Sequence, residues 1–214
     1  MITFYGRSTS DNTQKARWML EETGRPYKHV ELGGKFGGLD SSEFLKLNPN
    51  GRVPVLVDGD VAIGESDAII RYLAARYCSG SFWPEDPIPR AEVDQWMSWG
   101  HANLYPVFNK LFWSVVRAPK ERQNPASIQA LTAKLNGYFL ILESRLEGRE
   151  FVMGSEMSMA DITTGMTLYR YFEMPIERPH LPFVEAWYER LQRRQAYRTA
   201  VMVSFEELRG RLDF

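Results

Sequence analysis

Apolar and polar positions along this chain repeat with two different periods, and the change of period organises it. Residues 1–5, MITFY, set Ile2 and Phe4 against Thr3 and Tyr5, the period of two of a half-buried strand. From Asn12 to Thr23 the apolar face runs through Ala16, Met19, Leu20 and Thr23, the i, i+3, i+4, i+7 spacing of an amphipathic helix. Gly24 stands where a helix C-cap is expected, and Pro26 comes soon after. YKHVEL (27–32) returns to strand character, GGKFGG (33–38) reads by default as a flexible surface loop, and a short helical segment is expected around Ser42–Lys46. VPVLV (53–57) and DVAI (60–63) predict two strands joined around Asp58-Gly59, a hairpin signal. Ser66 to Tyr77 sets Ile70, Leu73, Ala74 and Tyr77 on one helical face. The predicted order is βαβ, short α, ββα.

Residues 78–90, CSGSFWPEDPIPR, break both periods with Gly80, Pro84, Pro87 and Pro89, as a linker between domains does. Beyond it the pattern is helical almost throughout. Ile128, Leu131, Leu135, Tyr138, Leu142 and Leu146 recur by threes and fours, as do Val184, Trp187, Tyr188 and Leu191. Pro106 falls inside the first long helical stretch and is expected to kink it. The expected organisation is an α/β domain over 1–78, a linker over 79–88 and an all-α domain over 89–214.

Composition narrows the function classes. With 214 residues, 44% apolar, the chain is large enough to bury the cores of two small domains. A net charge of −1 offers no basic surplus for nucleic acid, and no apolar run approaches the length of a membrane span. The N-terminus is polar by Arg7, which argues against a signal peptide. Cys78 is the one cysteine, so no intrachain disulfide forms and a reducing, cytoplasmic location is expected. His29, His101 and His180 lie far apart without ligand spacing, so no metal site is expected.

Four stretches carry candidate chemistry. Pro54, inside a strand pattern, forfeits a ladder hydrogen bond and belongs at a strand start or edge, where a cis bond after Val53 is one option. If that edge faces a cleft, Val53 offers its N–H and C=O to an extended peptide; otherwise it is an ordinary strand start. Ser66 suits the N-cap of the helix beginning there, and the free N–H groups at such a start favour a carboxylate, with Glu65 beside it for an ammonium. GGKFGG lacks the context of a phosphate loop, although Lys35 presents a cation. SMAD (158–161) fits a capping box, with Ser158 and Asp161 exchanging hydrogen bonds with each other's backbone N–H. The aromatics between Trp96 and Trp113 read mainly as core.

Taken together, NPNGRVPVL (48–56), GESDAIIRYLA (64–74) and MSMADI (157–162) resemble the cytosolic glutathione S-transferase superfamily, over nearly the whole chain. The resemblance implies a thioredoxin-like N-terminal domain, an all-α C-terminal domain carrying the electrophile site, and a homodimer. It implies that glutathione lies along the third strand, its cysteinyl residue paired with the backbone of Val53 beside a cis Pro54. Ser66 would hold the γ-glutamyl carboxylate with Glu65 helping at that end, and Lys35 would meet the glycyl carboxylate. Glutathione would be the co-substrate, with no other cofactor.

A free thiol titrates near 8.5, so only a few per cent is thiolate at pH 7, and the thiolate is the nucleophile. Hydroxyls, amides and helix N-termini all donate to such an anion. Classes that use tyrosine carry it near the end of the first strand, but Tyr5 belongs to the strand itself. Ser10 falls on the serine of theta-, delta- and zeta-like classes and on the threonine of the bacterial nu-like class, whose asparagine matches Asn12. Where the beta-like class has cysteine, this chain has Asn12. The expectation is Ser10 as hydroxyl donor and Asn12 as amide donor, with Thr9 in reserve; the competing reading is that Ser10 or Asp11 simply caps the helix. Tyr105 falls where other classes place a residue of the electrophile site. The expected activity is conjugation of glutathione to a small hydrophobic electrophile. The alternatives are a glutathione-dependent disulfide reductase or peroxidase, and a non-catalytic interaction domain of the same fold.

Overall fold

The computed structural model describes residues 1–212. It divides into two compact units, one of Met1–Trp83 with Gln195–Val203, the other of Pro84–Arg194 with residues 204–212. The helix Gln195–Ala200 therefore counts with the first unit, where the indole of Trp18 meets the ring of Tyr197 edge-on at 4.7 Å. A cut at residue 79 would have assigned it to the second.

The first unit runs β1 (Ile2–Tyr5), α1 (Asp11–Glu22), β2 (Tyr27–Val30), α2 (Ser42–Leu47), β3 (Val55–Asp58), β4 (Val61–Ile63) and α3 (Ser66–Tyr77). Its sheet has the order β2-β1-β3-β4, with β1 parallel to β2 and antiparallel to β3, and β3 antiparallel to β4. The parallel pair needs a crossover, which α1 supplies; the antiparallel pair needs only the turn at Asp58-Gly59. The period-two and period-3.6 faces meet in one core: Phe4, Met19, Leu20, Leu56, Ile69, Ile70 and Leu73 are all sealed from solvent. Each such side chain contributes about 1.5–3 kcal/mol by leaving water.

Two local expectations shift. β3 begins at Val55, because Pro54 has no N–H for the ladder, and the Val53–Pro54 bond before it is cis. GGKFGG is an ordered turn, Gly34–Phe36, closed by the Gly33 N–H on the Gly37 carbonyl at 2.9 Å. Gly33, Gly34, Gly37 and Gly38 all have positive φ, which only glycine supplies at so many positions without strain.

The second unit contains α4 (Pro87–Trp99), α5 (Tyr105–Phe112), α6 (Pro125–Leu146), α7 (Met159–Gly165), α8 (Leu168–Glu173) and α9 (Pro182–Gln192). α4 starts inside the stretch that reads as a linker. Asp86 caps it by accepting from the Ile88 N–H at 2.8 Å, and Pro87 sits where a helix N–H has no partner in any case. The disturbance expected at Pro106 takes the form of a widened turn over Gly100–Leu104, in which the Tyr105 N–H reaches back five residues to Gly100. α7 packs closely there: a Cβ on Gly100 would lie 3.0 Å from a methyl of Thr164. Leu135, Phe139, Leu142 and Leu146 of α6 and Val184, Trp187 and Leu191 of α9 fill the core, and Phe139 stacks on Tyr171 at 3.8 Å. Ile128, Leu131 and Tyr138, from the predicted α6 face, are only half-buried. The capping box of α7 is formed by Ser158 and Asp161.

Candidate active site

The segment between β1 and α1 is pinned on several sides. The Gly6 N–H bonds to Val30 at 3.0 Å, and His29 Nε2 donates to the Gly6 carbonyl at 2.7 Å. Glu31 clamps Ser8 with both carboxylate oxygens, accepting the Ser8 N–H at 3.0 Å and the Ser8 hydroxyl. Gln14 Nε2 reaches back to the Ser8 carbonyl at 2.9 Å. Gly6 makes the approach possible: a Cβ there would lie 2.5 Å from Thr13 Oγ1. Ser8 thus directs its proton to Glu31, which removes it from the hydroxyls able to serve an external anion.

Ser10 is the N-cap of α1, its Oγ accepting from the Thr13 N–H over a long 3.4 Å. Capping uses a lone pair. Among the described residues the Ser10 hydroxyl hydrogen has no acceptor, so the side chain caps and still has a proton to donate. The two readings of Ser10, cap and donor, are compatible. Asn12 lies within the first turn of α1, and its Oδ1 accepts from Ser66 Oγ at 3.2 Å. Ser66 is the first residue of α3 and buried, and Glu65 before it is exposed with φ at +61°, a left-handed conformation costly for a non-glycine residue. The Asn12–Ser66 bond therefore sets the N-termini of α1 and α3 side by side, and each helix start carries partial positive charge. Three residues on from Asn12, the buried Lys15 pairs with Asp67 at 2.6 Å, a second link between the same two helix starts.

Val53 sits at the open end of the ladder. The last pair between β3 and β4 is Leu56 with Ile63, three positions short of Val53. Among the described residues neither the N–H nor the C=O of Val53 is hydrogen-bonded. The turn leading to it is shaped by Asn48, which donates to the Arg52 carbonyl at 2.8 Å and accepts from the Asn50 N–H at 3.1 Å. Of the sequence-predicted residues, Ser10, Asn12, Glu65 and Ser66 form one cluster, and Val53-Pro54 supplies a backbone edge. Lys35 is exposed on its own turn, its ammonium 5.3 Å from the Phe36 ring centroid. Tyr105, in the second unit, is half-buried and stacks on His101 at 6.5 Å.

Sequence reasoning passed over Glu31, Asn48 and the Lys15–Asp67 pair. Lys15 left a signal: it directly precedes the apolar positions of α1, a place where a cation survives only with a partner. Cys78, at the far end of α3, has its thiol pushed up by burial and by the nearby Glu22, the opposite of activation. No group of three His, Cys, Asp or Glu residues among the described residues is placed to hold a metal, and no described helix is long and apolar enough to cross a membrane.

Known proteins resemble this chain in sequence and in fold. Residues 4–80 match the sequence model of the glutathione S-transferase N-terminal domain, and residues 104–195 match that of the C-terminal domain. Glutathione S-transferase GstB of Escherichia coli is 35% identical over 205 residues, 95% of this chain and 99% of GstB. The disulfide-bond oxidoreductase YfcG of the same organism is 29% identical over 209 residues, covering 94% and 95% of the two chains. The theta-class glutathione S-transferase of Xanthomonas axonopodis pv. citri, solved with glutathione bound, superimposes with a TM-score of 0.89 at 43% identity, covering 95% of this chain and 98% of that one. With both domain models matched in order and GstB 35% identical over 95% of this chain, the chain belongs to the glutathione S-transferase family.

Proposed function

We propose that this chain activates the thiol of glutathione for attack on a small apolar electrophile, with Ser10 and Asn12 as the donors that hold the thiolate. It is an enzyme of the glutathione S-transferase kind, with glutathione as co-substrate and no other cofactor. The observation that carries the site reading is the pairing of Asn12 with Ser66, next to a Ser10 proton without an acceptor. Glutathione extends along the start of β3, its cysteinyl residue bonded to the free N–H and C=O of Val53 beside Pro54. The γ-glutamyl carboxylate takes the N-terminus of α3 at Ser66, Glu65 meets the ammonium, and Lys35 meets the glycyl carboxylate. The sulfur then lies at the start of α1, where the Ser10 hydroxyl and the Asn12 amide hydrogens donate to it. The thiolate attacks the electrophile carbon and the leaving group departs with the displaced electron pair. Tyr105 lines the electrophile side. The active form is a cytoplasmic homodimer with a detoxifying role.

Lowering the thiol by two units needs about 2.7 kcal/mol of preference for the thiolate, within reach of two or three such donors. Thiolate absorbance of the glutathione complex, measured against pH, reads this directly. Ser10→Ala and Asn12→Ala each raise the apparent thiol pKa, by about one unit or more; if neither moves it, the donor assignment is wrong. A second reading, disulfide reduction, is favoured by the likeness to YfcG. Turnover of a chlorinated nitrobenzene against that of a glutathionyl mixed disulfide separates the two.

A further inference from the structure

The first turn of α3 carries an acid where the proposed reading brings in a substrate carboxylate. Asp67 comes immediately after Ser66, and a carboxylate in a helix's first turn competes for the same N–H groups and partial charge that would attract an anion. Left to itself, Asp67 would repel the γ-glutamyl carboxylate. Lys15 answers it. Its Nζ lies 2.6 Å from Asp67 Oδ1, and its side chain is 2% exposed, reaching across from the face of α1 that also carries Asn12. Arg71, one turn further along α3, donates to the Asp67 backbone carbonyl at 3.4 Å, so Lys15 is the cation that reaches the Asp67 carboxylate from α1. The pair and the Asn12–Ser66 bond are successive rungs between the same two helix starts.

We infer that Lys15 is a positioning residue that balances the charge of Asp67, keeping the α3 N-terminus attractive to the glutathione carboxylate. The inference rests on the placement of that carboxylate at Ser66. It differs from a brace in the sign of its effects. Lys15→Met adds one net negative charge to the carboxylate end and raises KM for glutathione about tenfold, the weight of one unbalanced charge a few ångströms from another in a half-exposed site. Asp67→Asn removes a negative charge and leaves KM equal or lower. The isoelectric double variant Lys15→Met/Asp67→Asn returns KM to within about threefold of the parent. In all three kcat stays within about threefold, and the Lys15→Met defect shrinks as salt is raised.

The experiment is steady-state kinetics with glutathione varied, at two ionic strengths, alongside calorimetric titration of glutathione and a urea midpoint for each variant. Both single variants raising KM, with no rescue in the double, would show a brace and overturn the inference. Asp67→Asn keeps the test decisive if Lys15→Met fails to fold, because a KM increase in that variant alone is enough to reject charge balance. Ser66→Ala separates the two levels. If it leaves glutathione affinity unchanged, the carboxylate does not sit at α3, and both readings fall; if it weakens affinity while the charge variants behave as a brace, only the inference falls.

Discussion

Among the described residues, three α-helices are capped at the N-terminus by a serine side chain, and the three serines differ in where the hydroxyl hydrogen goes. Ser158, ahead of α7, is sealed from solvent; it accepts from the Ala160 N–H at 3.2 Å and donates to Asp161 Oδ2 at 3.1 Å. Ser41, ahead of α2, accepts from the Phe44 N–H at 3.3 Å and donates to the Gly38 carbonyl at 2.9 Å. Ser10, ahead of α1, accepts at 3.4 Å and has no acceptor for its own proton among the described residues. The first two caps are closed, with donor and acceptor both satisfied inside the protein. The third is open on its donor side, at the helix start where an anion is expected. A closed cap stabilises; an open cap stabilises less and keeps a hydrogen for a ligand.

The largest effect belongs to the closed cap at α7. Asp161 accepts the Val152 N–H at 2.9 Å, the Ser158 N–H at 2.8 Å, the Ser158 hydroxyl and the Trp187 indole N–H at 3.1 Å. Asp161→Ala strands all four donors in the core of the second unit. The expected loss is about 3–5 kcal/mol in a urea titration, since each buried unsatisfied group costs about 1–3 kcal/mol. The same residue gives a pH signature. Burial pushes its carboxyl from 3.8 up to about 6, against the pull of its four donors. The folded chain thus holds this proton where the unfolded chain has released it. Its contribution to stability is complete below about pH 4 and is lost as pH rises through about 6. Asp161→Asn, which has no proton to lose, flattens the stability slope between pH 4 and pH 6; an unchanged slope would assign it elsewhere.

Smaller, and more pointed, is the exchange of effects between Ser158 and Ser10. Ser158→Ala costs about 2 kcal/mol of stability, a buried cap plus the donor it gave to Asp161, and leaves kcat/KM of the folded enzyme within about twofold. Ser10→Ala costs about 1 kcal/mol or less, in line with a long cap bond, and lowers kcat/KM for conjugation by about a hundredfold. Paired urea and kinetic measurements on the two variants decide whether the open cap is functional. Equal stability losses with equal kinetic losses would erase the distinction between them.

Much of this was legible in the residues. The period-two stretch at Ile2–Tyr5, the hairpin strand expected over 53–57 and found at Val55–Asp58, the period-3.6 faces of α1 and α3, and the SMAD box all formed within a residue or two of their expected positions. These are local signals, set by side-chain alternation and by capping chemistry within four residues. The pieces that stayed hidden are contacts between segments distant in sequence. Ser8 with Glu31 spans 23 residues, Lys15 with Asp67 spans 52, and Asn12 with Ser66 spans 54. Spacing along a chain does not announce such pairs. Pro87 misled for a different reason: proline breaks a helix interior but suits a first turn, so the same residue marks a linker or opens α4 depending on whether the next dozen residues can stay helical. The difference between an open and a closed serine cap was also illegible, since Ser41 and Ser10 look alike until the acceptor for each proton is known.

The smallest predicted effect completes the series. Ser41→Ala removes a cap from the six-residue helix α2, whose start is exposed and whose Phe44 anchors it against Tyr5 at 6.2 Å. Water replaces the lost partners of the Phe44 N–H and the Gly38 carbonyl at small cost, so the urea midpoint falls by no more than about 1 kcal/mol in equivalent free energy. Ser41 also bonds to Gly38, at the end of the turn that carries Lys35. If Lys35 meets the glycyl carboxylate, loosening that turn raises KM for glutathione by about two- to threefold, with kcat and the thiol pKa unchanged. A Lys35→Met/Ser41→Ala double variant no worse than Lys35→Met alone would place both effects on one contact. Additive effects would mean that Ser41 serves only the helix, as Ser158 does, and that the turn holds its shape through its four glycines.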